Sequence, residues 1–199
     1  MSGVAAVVLA AGGSTRMGRP KPLLPFRGTT LLRRAIAAAG DGGCDPVVVV
    51  VGADADALDA HLAGLAVRVV RNADWAAGPG TSVAAGVGAV GDADAAVVLL
   101  CDQPFVDAGH VRRLVDEHRA TGLPMVASAY LGTVGVPALF DRSCFPELLA
   151  LAPGGGAKAL LARNPARTAV VPFPAGATDI DTPNDYARLG AADPSTGRE

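Results

Sequence analysis

The fold is decided by residues 4–21, which read VAAVVLAAGGSTRMGRPK. The first seven of these residues (4–10) are apolar without alternation. This pattern is typical of a central strand in a parallel sheet, because both faces of such a strand are buried. The residues that follow are small, glycine-rich and basic, and such a loop after a strand lies where α/β proteins bind ligands. The stretch therefore predicts an α/β fold with an anion-binding loop after its first strand.

Beyond this stretch, apolar runs of strand length alternate with helical patterns. Six further strands are predicted, at residues 47–51, 67–71, 96–101, 125–130, 134–140 and 168–171. The predicted helices are one that Thr29 or Thr30 caps and that ends near residue 39, and others at 55–65, 81–90, 108–120, 143–151, 157–163 and 183–189. This alternation predicts a three-layer α/β/α sandwich around a mostly parallel sheet. We expect one domain over residues 1–190 and a flexible polar tail over residues 191–199.

The composition excludes several classes of protein. Of the 199 residues, 50% are hydrophobic, which is too many for a disordered chain, and the net charge of −2 argues against nucleic-acid binding. Three cysteines without a CxxC pair exclude a disulfide framework and suit a reducing cytosol. The apolar runs are too short to cross a bilayer. We therefore expect a cytoplasmic protein that has neither nucleic acid nor a membrane as a partner.

Positive charge is concentrated in the glycine-rich loop. Residues 1–40 contain six basic residues and no acidic one, although the whole chain is acidic. Arg16 and Lys21 are the candidates for binding phosphate, because glycines surround them and successive N–H groups can share the anion. Gly13 and Gly18 have the spacing of a Walker A loop, but Arg-Pro at 19–20 replaces its Lys-Ser/Thr, which excludes a P-loop NTPase.

A second glycine pattern does not indicate a nucleotide site. Gly86, Gly88 and Gly91 match GxGxxG, but they lie late in a helical pattern and do not follow a strand. The three histidines, His61, His110 and His118, lack the spacing of metal ligands and are expected at the surface.

Two aspartates are candidates for a metal site. Asp102 ends a buried apolar run, and Asp181 precedes a short helix. Two carboxylates can hold one Mg²⁺ against nucleotide phosphates. The structural alternatives are a turn residue for Asp102 and a helix cap for Asp181. Cys101 belongs to the apolar run and is expected to be a buried thiol, while Trp75 either packs beside the loop or fills the core.

The loop resembles the LAAGxSxRMGxxK signature of the MobA-like nucleotidyltransferases, which have a GT-A-like α/β fold, and it is most similar to the molybdenum cofactor cytidylyltransferases. Four further segments match that family in order, at residues 72–83, 100–104, 132–140 and 179–186. The resemblance implies transfer of CMP from CTP to the phosphate of a pterin cofactor, with release of pyrophosphate. Relatives that read guanine have glycine at the position of Ala11, so cytidine is implied over guanosine.

The resemblance also assigns roles to individual residues. Arg16 and Lys21 would stabilise charge on the phosphates, and Asp102 and Asp181 would hold Mg²⁺. The residues implied in nucleotide binding are Leu9, Ala10, Ala11, Gly12, Gly13, Ser14, Gly80, Thr81, Ser82 and Asp102.

The acceptor side departs from the family pattern. Relatives that accept molybdopterin usually have histidine at the position of Val136, and many have Gly-Asp where residues 154–156 are all glycine. These departures keep other phosphorylated acceptors open, namely a sugar phosphate, a methylerythritol phosphate or a phospholactate. A further alternative is a non-catalytic module that carries a cofactor to a molybdoenzyme.

Overall fold

The computed structural model describes residues 3–191, and its centre is a seven-stranded sheet. A separate two-stranded hairpin lies after the first loop. In chain order the strands are β1 (Val4–Ala10), β2 (Pro25–Phe26), β3 (Thr29–Thr30), β4 (Val47–Val51), β5 (Arg68–Arg71), β6 (Ala95–Leu100), β7 (Met125–Tyr130), β8 (Thr133–Asp141) and β9 (Thr168–Pro172). The helices are α1 (Leu31–Asp41), α2 (Ala55–Leu62), α3 (Pro79–Val87), α4 (Ala108–Thr121), α5 (Phe145–Leu149), α6 (Ala157–Arg163) and α7 (Pro183–Ala191).

The order of strands in the large sheet is β5-β4-β1-β6-β8-β7-β9. Only β8 runs against its neighbours β6 and β7, while the other adjacent pairs are parallel. The prediction of a mostly parallel sheet is therefore confirmed. Because β1 lies in the middle of the parallel half, the glycine-rich loop leaves the sheet at its centre.

Helices cover both faces of the sheet and make the three predicted layers. Alternate residues of β1 point to opposite sides, so that Val8 packs with α1, α2 and α4, and Val7 packs with α3, α5 and α6. A third cluster joins the hairpin and α7 through Phe26 and Leu189. No helix in the described part of the chain is both long enough and apolar enough to cross a membrane.

The bounds of the seven predicted strands agree with the structure to within one residue, whereas α2, α3 and α5 end two or three residues before their predicted ends. Helix α3 begins two residues before its predicted start because Pro79 fits the first turn of a helix. Thr30 and Asp107 cap α1 and α4 by accepting hydrogen bonds from the N–H groups of Arg33 and His110. Helix α7 extends to Ala191, and the rest of the predicted tail, 192–199, lies outside the described residues. One domain over residues 1–190 stays a prediction.

The late glycine pattern has a packing role at its first position. A Cβ atom on Gly86 would lie 2.3 Å from Cγ1 of Val7 and 2.9 Å from Cγ2 of Val50. Glycine therefore lets α3 approach β1 and β4 closely, which is a structural reason for the residue without any ligand.

Candidate active site

A cavity of about 340 Å³ opens at the carboxyl ends of β1 and β6. Most of the residues implied in nucleotide binding line it, namely Leu9, Ala10, Ala11, Gly12, Gly13, Ser14, Ser82 and Asp102. Lys21 and Trp75 also line it. The position agrees with the rule that α/β sheets bind ligands beyond the carboxyl ends of their strands.

The glycine-rich loop is held by its own hydrogen bonds. Ser14 has a φ of +49°, and its carbonyl accepts hydrogen bonds from the N–H groups of Met17 and Gly18. The hydroxyl of Ser14 accepts a hydrogen bond of 2.9 Å from the N–H of Lys21. A Cβ atom on Gly12 would meet no atom of the described residues within 4 Å. The loop is thus fixed at its base, while the backbone of Gly12 faces open space in the cavity.

Four charged side chains converge at one end of the cavity. The ammonium of Lys21 donates to Oδ2 of Asp102 at 2.8 Å and to Oδ1 of Asp181 at 3.0 Å. The same Oδ1 of Asp181 lies 3.0 Å from Nη2 of Arg16. We call Lys21, Asp102 and Asp181 the lysine–aspartate cluster. The family resemblance implied Lys21 for the phosphates and the two aspartates for a metal, and in the structure Lys21 lies between the aspartates.

The opposite charges in the cluster stabilise one another's ionised forms. Burial alone lowers the pKa of Lys21, but the charge of Asp102 and hydrogen bonds to both aspartates outweigh it and raise this pKa. Burial raises the pKa of Asp181, and the hydrogen bond and charge of Lys21, together with Arg16, leave this pKa below its usual range. Lys21 is therefore protonated and Asp181 ionised at neutral pH.

The donor set of the cluster fits a divalent metal ion. Oδ1 of Asp102 is buried and has no hydrogen-bond partner in residues 3–191. A carboxylate oxygen without a partner is costly to bury, and hard cations such as Mg²⁺ and Mn²⁺ prefer such oxygens. No group of three or more His, Cys, Asp or Glu side chains among the described residues is arranged to hold a metal ion. An ion held by Asp102 and Asp181 therefore needs further ligands from water or from a bound molecule.

Not every residue implied in the site lines the cavity. Gly80 is packed against the backbone of Ala152, and the hydroxyl of Thr81 donates to the carbonyl of Gly78, at 2.8 Å, and lies 3.0 Å from that of Asp74. Arg16 and Asp181 are also absent from the lining, and their side chains are 69% and 34% exposed. Gly80 and Thr81 thus support the start of α3, and Arg16 reaches Asp181 from outside.

Two residues join the site that the motifs alone did not assign. Trp75 lies against the loop, since a Cβ atom on Gly13 would be 3.2 Å from its ring, and this decides between the alternatives for Trp75. The buried Asn72 donates to the hydroxyls of Thr81, at 2.9 Å, and Ser82, at 3.0 Å. Asn72 and Trp75 lie in the segment 72–83 that matched the family, which was the available signal.

The predicted surface position of His110 is wrong. Its ring is fully buried and stacks on Phe173 with the ring centroids 3.9 Å apart. Nε2 of His110 lies 2.7 Å from the hydroxyl of Ser128. The residue is hidden because the end of β9 covers this part of α4, a long-range contact that the helical pattern could not reveal. Cys101 is a buried thiol, as predicted, and burial raises its pKa.

The fold and the cavity are those of an α/β protein with a ligand site beyond the carboxyl ends of its strands, and the comparison with known families identifies its class. The chain belongs to the MobA-like NTP transferase family, whose domain matches residues 6–168. It is therefore a nucleotidyltransferase, as the sequence predicted.

Relatives are similar over nearly their whole length. Nicotine blue oxidoreductase of Paenarthrobacter nicotinovorans is 35% identical over 195 residues, which cover 94% of this chain and 96% of that protein. The purine catabolism protein PucB of Bacillus subtilis is 31% identical over 194 residues and covers 90% of this chain and 92% of its own.

A solved structure has the same architecture. Rv0371c of Mycobacterium tuberculosis H37Rv is 32% identical, with a TM-score of 0.81 over 97% of this chain and 100% of that one. A second structure of that protein is a complex with manganese, with a TM-score of 0.74 and 32% identity over 96% of this chain and 100% of that one. A divalent metal therefore binds a member of this fold and family.

Proposed function

We propose that this protein transfers CMP from CTP to the phosphate of molybdopterin cofactor, with Mg²⁺ and with release of pyrophosphate. The observation that carries the proposal is the glycine-lined cavity closed at one end by the lysine–aspartate cluster. The cavity offers backbone N–H groups and Lys21 to a triphosphate, and Asp102 to the metal that accompanies it. Arg16 and Asp181 lie beside the cavity, joined to each other and, through Asp181, to Lys21.

The nucleotide is seated on the loop after β1. Because Gly12 leaves open space, the backbone there is accessible to phosphate oxygens. Ser82, oriented by Asn72, faces the same cavity. Ala11 stands where the guanine-reading relatives have glycine, and this supports cytosine as the base. These contacts bind and orient the nucleotide and do not need a covalent intermediate with the protein.

The reaction needs charge neutralisation more than a protein nucleophile. An oxygen of the acceptor phosphate attacks the α-phosphorus of CTP, the new P–O bond forms, and the bond from this phosphorus to the bridging oxygen of pyrophosphate breaks. Lys21 and Arg16 stabilise the negative charge on the α-phosphoryl group and on pyrophosphate. Asp102 and Asp181 would hold Mg²⁺, which supplies further neutralisation of phosphate charge when it is bound.

The acceptor is proposed to enter beside β7 and β8. Here the carbonyl of Val136 accepts hydrogen bonds of 3.2 Å from both Nε2 of Gln103 and the hydroxyl of Tyr130. The side chain of Val136 offers no imidazole, so the alternative acceptors named above, a sugar phosphate, a methylerythritol phosphate or a phospholactate, are the matched competitors of molybdopterin. The buried free thiols of Cys44, Cys101 and Cys144 support a reducing compartment such as the cytoplasm.

The test is pyrophosphate release with the purified full-length protein. We expect release only when CTP, Mg²⁺ and a phosphorylated acceptor are all present, with molybdopterin cofactor as the best acceptor and with GTP less active than CTP. Release with a different acceptor would replace molybdopterin but keep the enzyme class. CTP binding without turnover on any acceptor would favour the accessory module that delivers a cofactor to a molybdoenzyme.

A parallel assay tests whether the protein is an oxidoreductase and not a transferase. The relative from Paenarthrobacter is named an oxidoreductase for nicotine blue, and it is similar over almost the whole chain. If the protein changes the absorbance of nicotine blue in the presence of a hydride donor and releases no pyrophosphate from any NTP, the transferase proposal is contradicted.

A further inference from the structure

The position between the two aspartates is filled by a side chain of the protein itself. Lys21 donates to Asp102 at 2.8 Å and to Asp181 at 3.0 Å. These are the two carboxylates that the proposed function gives to a divalent ion. A metal ion that binds the two oxygens now held by Lys21, Oδ2 of Asp102 and Oδ1 of Asp181, must therefore displace the ammonium group.

The displaced ammonium needs a new counter-charge. The side chain of Lys21 is 17% exposed, and that of Asp102 is 19% exposed. A charge that loses its partner in such a half-buried place is strongly destabilising, because water cannot fully replace the partner. A metal ion alone brings no negative charge for Lys21, whereas a triphosphate brings several anionic oxygens at the same moment.

We propose that Lys21 acts as an internal cation that blocks the metal position until a nucleotide arrives. The ion then enters as a metal–triphosphate complex, and the ammonium of Lys21 moves from the aspartates to a phosphate oxygen. The carboxylates of Asp102 and Asp181 would then hold the metal ion in its place. This inference rests on the proposed function, because it takes the ligand to be a metal-bound nucleoside triphosphate. It identifies the complex, and not the free ion, as the species that the site admits.

The construction around Lys21 allows such an exchange without a change of fold. Its N–H is fixed to the hydroxyl of Ser14, and Pro20 and Pro22 restrict the backbone on both sides. The four-carbon stem of lysine remains flexible, and its ammonium is a compact charge with rotatable donors. The ammonium group can therefore change partners while the loop keeps its shape.

Asp102 is prepared for the metal before the exchange. Its Oδ2 binds Lys21, but its buried Oδ1 has no partner in residues 3–191. Lys21 therefore satisfies only half of this carboxylate. The exchange predicts that metal and triphosphate increase each other's affinity by the same factor, since coupling between two ligands is reciprocal.

The test is binding of Mn²⁺ alone, followed as the loss of the free-ion signal in electron paramagnetic resonance. The wild-type protein, Lys21→Met and the control Arg19→Met are titrated without nucleotide. Arg19 is exposed in the same loop, and its guanidinium lies 5.3 Å from the centroid of the Tyr186 ring, so the control removes the same charge without touching the aspartates. We expect Lys21→Met to bind Mn²⁺ at least tenfold more tightly than both other proteins.

Two additional variants keep the test decisive. Lys21→Gln removes the charge but keeps an amide donor, and it serves if Lys21→Met fails to fold by circular dichroism. Asp102→Asn in the Lys21→Met background should lose the gained affinity. The proposal is overturned if a folded Lys21 variant binds Mn²⁺ no more tightly than wild type, or if the gain survives Asp102→Asn.

The outcome is distinguishable from failure of the proposed function. Mn²⁺ binding to Lys21→Met requires neither a particular base nor an acceptor. A gain of affinity in a protein that releases no pyrophosphate would support the internal cation and contradict the transferase. Pyrophosphate release together with equal Mn²⁺ affinities would support the transferase and overturn the internal cation.

Discussion

Two polar clusters of this protein have similar hydrogen-bond lengths but opposite settings. The lysine–aspartate cluster is charged, borders a cavity and contains a carboxylate oxygen that has no partner among residues 3–191. The pair of His110 and Ser128 is neutral, fully buried and joined at 2.7 Å. The comparison teaches that short polar contacts by themselves do not indicate function, and that access and unsatisfied hydrogen-bonding capacity do.

The histidine–serine pair has no unused capacity. The hydroxyl of Ser128 donates to the carbonyl of Pro137 at 2.5 Å, so Nε2–H of His110 donates to Ser128, and Nδ1 accepts from Arg113 at 3.3 Å. Phe173 covers the ring face. The pair therefore stabilises the packing of α4 on β7, whereas the lysine–aspartate cluster remains available to a ligand.

The largest expected effect is on activity at Asp102. Asp102→Asn keeps the shape of the side chain but removes the charge that balances Lys21 and the metal. We expect turnover to fall about 10²–10³-fold, because the loss removes electrostatic stabilisation of the transition state. Pyrophosphate release measures the effect, and thermal unfolding should show a fold that is still intact. Near-normal turnover would show that Asp102 is no more functional than the buried pair.

The second effect is on stability at His110. His110→Ala should lower the free energy of unfolding by about 2–4 kcal/mol, because it leaves a cavity beside Phe173 and removes a partner of Ser128. His110→Phe is the control, since it fills the space and leaves Ser128 bonded to Pro137, and we expect a loss of roughly 1 kcal/mol. Urea denaturation measures both variants. A loss of nucleotide binding with unchanged stability would reverse the assignment of the two clusters.

The third effect is the pH dependence of stability. Burial, assisted by the charge of Arg113, lowers the pKa of His110 from 6.5 to about 4. Because the folded state resists protonation, the contribution of neutral His110 is complete above pH 6.5 and is lost as pH falls towards 4. The free energy of unfolding should therefore decline more steeply over this range in wild type than in His110→Phe. Parallel curves for the two proteins would contradict the burial of a neutral imidazole.

The smallest effects distinguish two glycines. Gly86→Ala places a Cβ atom 2.3 Å from Cγ1 of Val7, which is too close for two carbon atoms. The substitution should therefore lower the free energy of unfolding by about 1–3 kcal/mol, although alanine has the higher helix propensity. The Cβ atom of Gly12→Ala meets no atom of residues 3–191 within 4 Å, so the stability should change by less than about 0.5 kcal/mol while nucleotide binding weakens. Fluorescence of Trp75, the only tryptophan, follows the binding. Equal nucleotide affinity for Gly12→Ala and wild type would argue against phosphates at the loop.

The sequence predicted elements best where local pattern and burial agree. The bounds of β4 and α6 match the prediction because each is flanked on both sides by glycine, proline or asparagine. The hairpin of β2 and β3 was missed, since two-residue strands show no periodicity and depend on a turn at Arg27 and Gly28, both with positive φ.

The site, too, could be predicted only where the sequence carries a local pattern. The cavity residues after β1 and the carboxylate at Asp102 could be anticipated because strand ends meet at one edge of the sheet. The two partners of Lys21 could not be predicted, because the hydrogen bonds of Lys21 reach Asp102 and Asp181, which lie 81 and 160 positions away. Neither contact leaves a local pattern in the sequence. His110 was misplaced for the same reason, since its cover comes from Phe173 at the end of β9.

The most direct test of the central claim is a crystal structure of the protein with CTP and Mg²⁺. The account predicts the triphosphate against the backbone N–H groups of residues 12–14, with Lys21 beside a phosphate and Asp102 facing the metal. A nucleotide bound outside this cavity, or a triphosphate turned away from Lys21 and Asp102, would contradict it.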